Sequence, residues 1–155
     1  EYADIMLKTP ISSAEAVRRL NDVMVEGMEI VSFREIPDEK ASNAMSLVAE
    51  ADYTVIFREG MEPPAGWEEK LLAFYEKSER EMDLKPLIYA LSVSDGKIFM
   101  TLSTGSTDNI KPELVMEAFC REIGYDLPAF ALLINREEVY AEGHISLEDL
   151  GKDIG

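Results

Sequence analysis

Cysteine and histidine are almost missing from this chain: Cys120 and His144 are the single examples of each among 155 residues. One thiol excludes an internal disulfide and any all-cysteine zinc or iron–sulfur site within one copy, which suits a reducing cytoplasm. One imidazole leaves little for histidine-based catalysis, and His144, set among Glu142, Glu148 and Asp149, reads as a solvated residue. No apolar run approaches the ~18–20 residues that span a bilayer, and no basic segment followed by an apolar one opens the sequence. A soluble, unsecreted protein without a membrane partner is expected. Basic residues are scarce too: 15 Lys and Arg stand against 31 Asp and Glu, a formal charge of −16. Such a charge repels nucleic acid and anionic membranes over the surface as a whole, so contact with RNA needs a local exception.

What is present is enough apolar material, 46% of the residues, for one substantial core or two small subdomains sharing one. Tyr2 to Lys8 alternates as a strand, and Ser12-Ser13-Ala14-Glu15 is a capping box opening a helix whose stripe is Val17, Leu20 and Met24. Met28 to Ile36 reads as the next strand. Ser42 caps a short helix carrying Met45 and Val48, and Tyr53, Val55 and Phe57 then alternate with Asp52, Thr54 and Arg58 in a half-buried strand. After Pro64 a helix carries Trp67, Leu71, Phe74, Tyr75 and Ser78 at helical spacing, an aromatic stripe read as core because glutamates surround it.

Leu87 to Val93 and Ile98 to Leu102 alternate on either side of Asp95-Gly96, a hairpin signal because both turn residues tolerate positive φ. A helix from Pro112 carries Leu114, Val115, Ala118 and Phe119 and closes at Gly124, and Ala129 to Ile134 is a short strand with Arg136-Glu137-Glu138 as its polar exit. The element order predicts an α+β fold: a ferredoxin-like split βαβ domain over residues 41–140, preceded by a partial βαβ second ferredoxin-like half over residues 1–40 and followed by a polar tail over 141–155. The chain does not open on Met and starts as if within a sheet, so a longer natural sequence is expected.

Candidate chemistry concentrates in Ser103-Thr104-Gly105-Ser106-Thr107-Asp108-Asn109-Ile110-Lys111, which sets hydroxyls, a glycine, an amide and a lysine at a helix mouth where free N–H groups favour an anion. A phosphate or an RNA backbone fits such a loop; so does a turn that merely caps the helix, since neither a Walker ending nor three spaced glycines is present. Between Asp83 and Lys111 the charges cancel, which sets this stretch apart from the acidic remainder. Lys85, Thr104, Gly105, Ser106, Asn109, Lys111 and Arg136 form the candidate substrate or nucleic-acid edge. No catalytic residue and no metal ligand set is assigned. Glu68-Glu69 and Glu137-Glu138 are expected from the abundance of acids, and Cys120 beside Phe119 reads as a small core residue.

Asp83-Leu84-Lys85-Pro86-Leu87-Ile88-Tyr89, Met100-Thr101-Leu102-Ser103-Thr104-Gly105-Ser106 and Asn109-Ile110-Lys111-Pro112-Glu113-Leu114 resemble a bacterial family of radical S-adenosylmethionine-associated proteins of unknown function, with Leu84 where isoleucine is common. The resemblance extends to Ser46-Leu47 and to Arg136-Glu137-Glu138-Val139-Tyr140. A histidine-containing N-terminal helix and strand usual in that family do not occur here, which fits an N-terminally truncated copy. The resemblance implies an accessory or substrate-presenting domain for a radical S-adenosylmethionine enzyme with a cobalamin-binding-type region, in the setting of RNA modification. The chain itself would carry no cofactor and no catalysis of its own, since a radical cluster needs three cysteines. An independent RNA-binding module is the second expectation, and a small-molecule enzyme the third.

Overall fold

A computed structural model of the chain describes residues 1–37, 43–77, 84–105 and 108–155. Ser42, Ser78, Asp83, Ser106 and Thr107, which figure in the sequence reading, lie outside the described residues. The α+β class holds, with a five-stranded antiparallel sheet at the centre. In chain order the elements are α1 (Ser13–Asn21), α2 (Ala44–Leu47), β1 (Val48–Phe57), α3 (Trp67–Lys77), β2 (Ile88–Ser94), β3 (Lys97–Ser103), α4 (Pro112–Glu122), β4 (Leu132–Ala141) and β5 (Ile145–Ser146). A 3-10 turn, Lys85–Leu87, leads into β2, and a second, Leu147–Leu150, follows β5.

From β1 to β4 the order is strand, helix, strand, strand, helix, strand, and the strands lie side by side as β2-β3-β1-β4-β5, every neighbour antiparallel. This is the split βαβ arrangement: each helix carries the chain over one face, so the first strand ends between the third and the fourth. The β2–β3 hairpin turns at Asp95 and Gly96, with φ of 50° and 73°, the left-handed pair that matches strand twist. Glu68 of α3 accepts from the Gly96 N–H at 3.0 Å and ties that turn to the helix.

Alternation sends Val55, Ile98, Met100 and Leu102 to one face, where Leu71 and Phe74 of α3 and Val115, Met116 and Phe119 of α4 close over them. Phe74 and Phe119 meet with ring centroids 5.7 Å apart, and Phe57 meets Trp67 edge-on at 5.1 Å, so the aromatic stripe of α3 is core. A second, smaller cluster joins Ala51, Val139, Ala141 and Leu147.

Three elements depart from the sequence reading. The strands expected at Tyr2 to Lys8 and Met28 to Ile36 do not form; among the described residues the ladder contact there is an isolated bridge between Glu35 and Lys152. Period-2 alternation makes a strand only when a neighbouring backbone accepts its hydrogen bonds, and with no paired strand beside them among the described residues Met6 and Val31 stand exposed. The partial second ferredoxin-like half is therefore one helix, α1, with irregular flanks. The last long strand does not stop before Arg136: β4 pairs with β1 as far as Ala141, with a register shift that leaves Glu137 without an opposite residue. Residues after Ala141 fold back, β5 pairing with Tyr140 and Ala141 while Leu147 is buried.

The α1 cap is half of the expected box. Ser12 accepts from the Glu15 N–H, but the Glu15 carboxylate turns to Arg18 and Arg19, whose guanidinium groups hold it far below the usual carboxylate range. At the other end, Asn21 closes the exit by accepting from the Ile30 N–H and donating to the Ile30 carbonyl, at 2.8 and 3.0 Å. For the short α2 the cap is Asn43, whose side chain accepts from the Ser46 N–H.

Candidate functional site

The loop after β3 and the start of β2 lie at the same end of the sheet, because Ile88 faces Leu102 across the ladder. Asn109 and Lys111 are exposed there. Lys111 is the N-cap of α4 without a side-chain cap, and Pro112 follows at the first helical position, so among the described residues no side chain caps the first turn. The loop is held from below: the Ser103 hydroxyl donates to the Asp108 carbonyl at 2.7 Å, and the Ile110 N–H donates to the Ser103 carbonyl. Thr104 continues β1 pairing by donating its N–H to the Ala49 carbonyl, while its Oγ1 is buried without a hydrogen-bond partner among the described residues. Gly105 runs close to β1; a Cβ there would sit 3.2 Å from the Val48 carbonyl oxygen.

The other two cations of the candidate set are committed elsewhere. Lys85 donates to the Tyr75 carbonyl at 2.8 Å near the end of α3 and lies 3.4 Å above the Tyr75 ring centroid. A cation near the last turn of a helix is favoured by the helix dipole, so an ammonium is well placed there. Arg136 sits opposite Tyr53, in the row of Met100 and Leu91, and is paired with Glu1. It stands two strands away from β3, about 10 Å at the usual strand spacing, and part-way along β4. The loop end and Lys85 are thus brought together, and Arg136 is not.

A second arrangement was not read from the sequence. On the sheet face away from α3 and α4, the register stacks four cross-strand rows: Ser103–Glu50–Tyr140, Thr101–Asp52–Glu138, Phe99–Thr54–Asn135 and Lys97–Ile56–Leu133. The first two rows form a hydrogen-bonded acidic network. Thr101 and Tyr140 donate to the two oxygens of Asp52 at 2.6 and 2.8 Å, Thr54 donates to Glu137 at 2.7 Å, and Glu138 accepts from Tyr2 and Ser146. His144 stacks on Tyr140 with centroids 3.8 Å apart, its Nδ1 3.4 Å from Glu50. Burial, and then the Asp52 carboxylate, push the Tyr140 phenol up to about 12. The signal that could have found this network is Asp52, Thr54 and Thr101 at alternate strand positions, polar where a covered sheet would be apolar.

The last two rows differ in character. Phe99 is 42% exposed, Ile56 36% and Leu133 45%, adjacent or diagonal to one another across three strands. Cys120 lies on the opposite, covered face, 1% exposed, and burial pushes its thiol up to about 11, far from the range of a nucleophile. A depression of about 580 Å³ runs along α4 and residues 125–134, lined by Glu113, Arg121, Tyr125 and Phe130 among others. Among the described residues no group of three or more His, Cys, Asp and Glu could hold a metal ion, and no helix is long and apolar enough to cross a membrane.

Fold and surface together define a split βαβ domain with one face packed by helices and the other displaying side chains. The chain belongs to DUF2344, a family of uncharacterised proteins conserved in bacteria, whose model matches residues 1–112. The matched part ends at the first residue of α4 and so includes the candidate loop. No curated protein and no solved structure matches the chain.

Proposed function

We propose that the domain is a noncatalytic accessory module of a radical S-adenosylmethionine enzyme, docking on it through the displayed sheet face and presenting substrate at the loop end where Asn109 and Lys111 stand. The observation that carries the docking is the Phe99, Ile56 and Leu133 group. In a chain of charge −16, large apolar side chains exposed together beside a polar network have the composition of a protein contact, with an apolar centre and a charged rim. The identity of the partner rests on the family resemblance, as does RNA modification as context, while the cytoplasmic setting rests on the single thiol, Cys120; the radical cluster and its cofactor belong to that partner.

Co-expression with the radical S-adenosylmethionine enzyme of the same bacterium, followed by capture on the tagged domain, tests the reading. The enzyme is expected to co-purify, and Phe99→Asp with Leu133→Asp is expected to reduce capture at least about tenfold while the melting temperature holds. A domain that captures no such enzyme sinks the proposal. An independent RNA-binding module is the second reading, favoured by the uncapped α4 N-terminus beside the exposed Lys111. It predicts low-salt RNA binding that weakens in Lys111→Ala and whose salt slope falls by about one. Lys85→Ala is a poorer probe, because Lys85 also holds Tyr75.

A further inference from the structure

Two long helices leave one strand of the sheet short of cover. Val55 and Phe57 of β1 are buried beneath the helix layer, but Ile134 and Leu132, opposite them in β4, are only half-buried. The depression along α4 lies against these two side chains. Its wall on the helix side is Glu113, Glu117 and Arg121, spaced i, i+4 and i+8 in one stripe, while Val115, Met116 and Phe119 of the same helix are buried. Asp126 and Phe130 add to the lining from the loop before β4. Phe130 is 88% exposed at a φ of 60°, a left-handed setting that a bulky residue rarely takes. Arg58 fixes it, donating Nε to the Phe130 carbonyl at 2.8 Å and its backbone N–H to the Ala131 carbonyl at 2.7 Å. The backbone is thus held in an unfavourable conformation that displays an aromatic ring at the rim of the groove.

We infer that the groove seats a basic amphipathic helix of a partner protein, laid beside α4 so that its apolar stripe covers Leu132 and Ile134 and its lysines or arginines meet Glu113, Glu117 and Asp126. Charge complementarity selects this occupant. Three carboxylates line the groove against one guanidinium, and among the described residues none of the four has an ion-pair partner, although Glu122 of the same helix is paired with Lys77. Such a wall repels nucleic acid, an anionic membrane and a second chain of −16, and it favours cations. The exposed Phe130 ring favours a cation as well. Leu132 and Ile134 call for apolar side chains from the same occupant, which a small hydrated cation does not supply. Glu113 and Glu117 are separated by about 6 Å along the helix axis, the spacing of two cations four residues apart on a facing helix. Arg121, one turn further on, matches an acid at the next such position and so sets the register of the incoming helix. The groove is on the helix-covered face and the Phe99 group on the other, so this contact is independent of the docking proposed above.

Fluorescence anisotropy of the intact chain with a labelled peptide tests the inference. The probe is a helical peptide of about 16 residues with leucines at i, i+3 and i+7 and, along its flank, lysine, lysine and glutamate at successive four-residue steps. Saturable binding is expected, weakening at least about tenfold between about 0.05 and 0.5 M salt. Glu113→Gln with Glu117→Gln is expected to weaken it at least about tenfold at an unchanged melting temperature, and Phe130→Ala at least about threefold. Glu26→Gln with Glu29→Gln removes the same charge at exposed positions outside the groove and is expected to leave the affinity within about twofold. A peptide with serine in place of each leucine is expected to bind at least about tenfold more weakly. Absence of saturable binding at low salt overturns the inference. Equal losses in the two glutamine pairs, or equal binding of the serine peptide, also overturn it and reduce the effect to general attraction of a cation by an acidic chain. Binding lost in Phe99→Asp but kept in Glu113→Gln with Glu117→Gln overturns it too and assigns the helix to the sheet face.

Discussion

Thr104 shows at the scale of one residue how the candidate loop is built. Its backbone extends the sheet by bonding to Ala49, which turns the side chain into the interior and leaves Oγ1 without a partner among the described residues. A buried hydroxyl that finds no partner forfeits its bonds to water, at a cost of about 1–3 kcal/mol, and valine has nearly the same shape without that loss. Thr104→Val is therefore expected to raise stability by about 1 kcal/mol, read as a higher urea midpoint with unchanged slope. Destabilisation by a similar amount would show that the hydroxyl is satisfied in solution. Gly105, next along, has the opposite sensitivity, since any Cβ crowds the Val48 carbonyl. Tyr140 gives the residue-scale pH dependence: its phenol is raised to about 12, so the protonated form is the one the fold stabilises. That stability is fully present below the unfolded value near 10 and is lost as pH rises through 12. Tyr140→Phe is expected to remove this alkaline loss, measured as the difference in urea midpoints of the two proteins between neutral pH and pH ~11.

At the scale of elements, α1 is held chiefly by the end of the chain. Glu35 and Lys152 exchange both backbone bonds at 2.8 and 2.9 Å, and the Ser13 N–H donates to the Ile154 carbonyl while the Ile154 N–H donates to the Ser13 hydroxyl. Gly151 allows this approach, because a Cβ there would lie 2.6 Å from the Arg34 Cβ. Gly151→Ala is expected to open the strap, with amide exchange at Glu35, Lys152 and Ile154 accelerating at least about tenfold while the strands β1 to β4 keep their protection. Unchanged exchange at Glu35 would mean that the backbone absorbs the methyl without separating. Elements of this kind also mark where sequence reading stops. The Asp95-Gly96 hairpin and the stripes of α3 and α4 were legible because their signals are local: two left-handed turn residues, and apolar side chains at helical spacing. The flanks of α1 were misread because alternation says nothing about whether a neighbour exists. β4 was cut short because Arg136-Glu137-Glu138 looks like an exit until the displayed face and the bulge give those side chains a place. In the candidate site the exposure of Asn109 and Lys111 followed from the loop chemistry, but the partners of Lys85 and Arg136 are Tyr75 and Glu1, 10 and 135 positions away, which no spacing argument reaches.

For the whole molecule the governing quantity is the charge of −16. Opposite charges do meet on the surface, Arg34 with Glu148, Lys77 with Glu122 and Arg18 with Glu15 and Asp22, but such exposed pairs are worth about 0–1 kcal/mol each. The acidic network of the displayed face is held mainly by hydroxyl donors from Thr54, Thr101, Tyr2, Tyr140 and Ser146, which satisfy the carboxylates without neutralising them. Repulsion among the remaining carboxylates is consequently a net charge on the compact state, and the unfolded chain relieves it by expanding. Raising ionic strength from about 0.01 to 0.15 M shortens the screening length from about 30 to 8 Å and damps this long-range term more than the short contacts of the ion pairs. Stability is expected to increase over that range by roughly 1 kcal/mol, seen as an upward shift of the urea midpoint at fixed pH. A downward shift would mean that the surface ion pairs outweigh the repulsion.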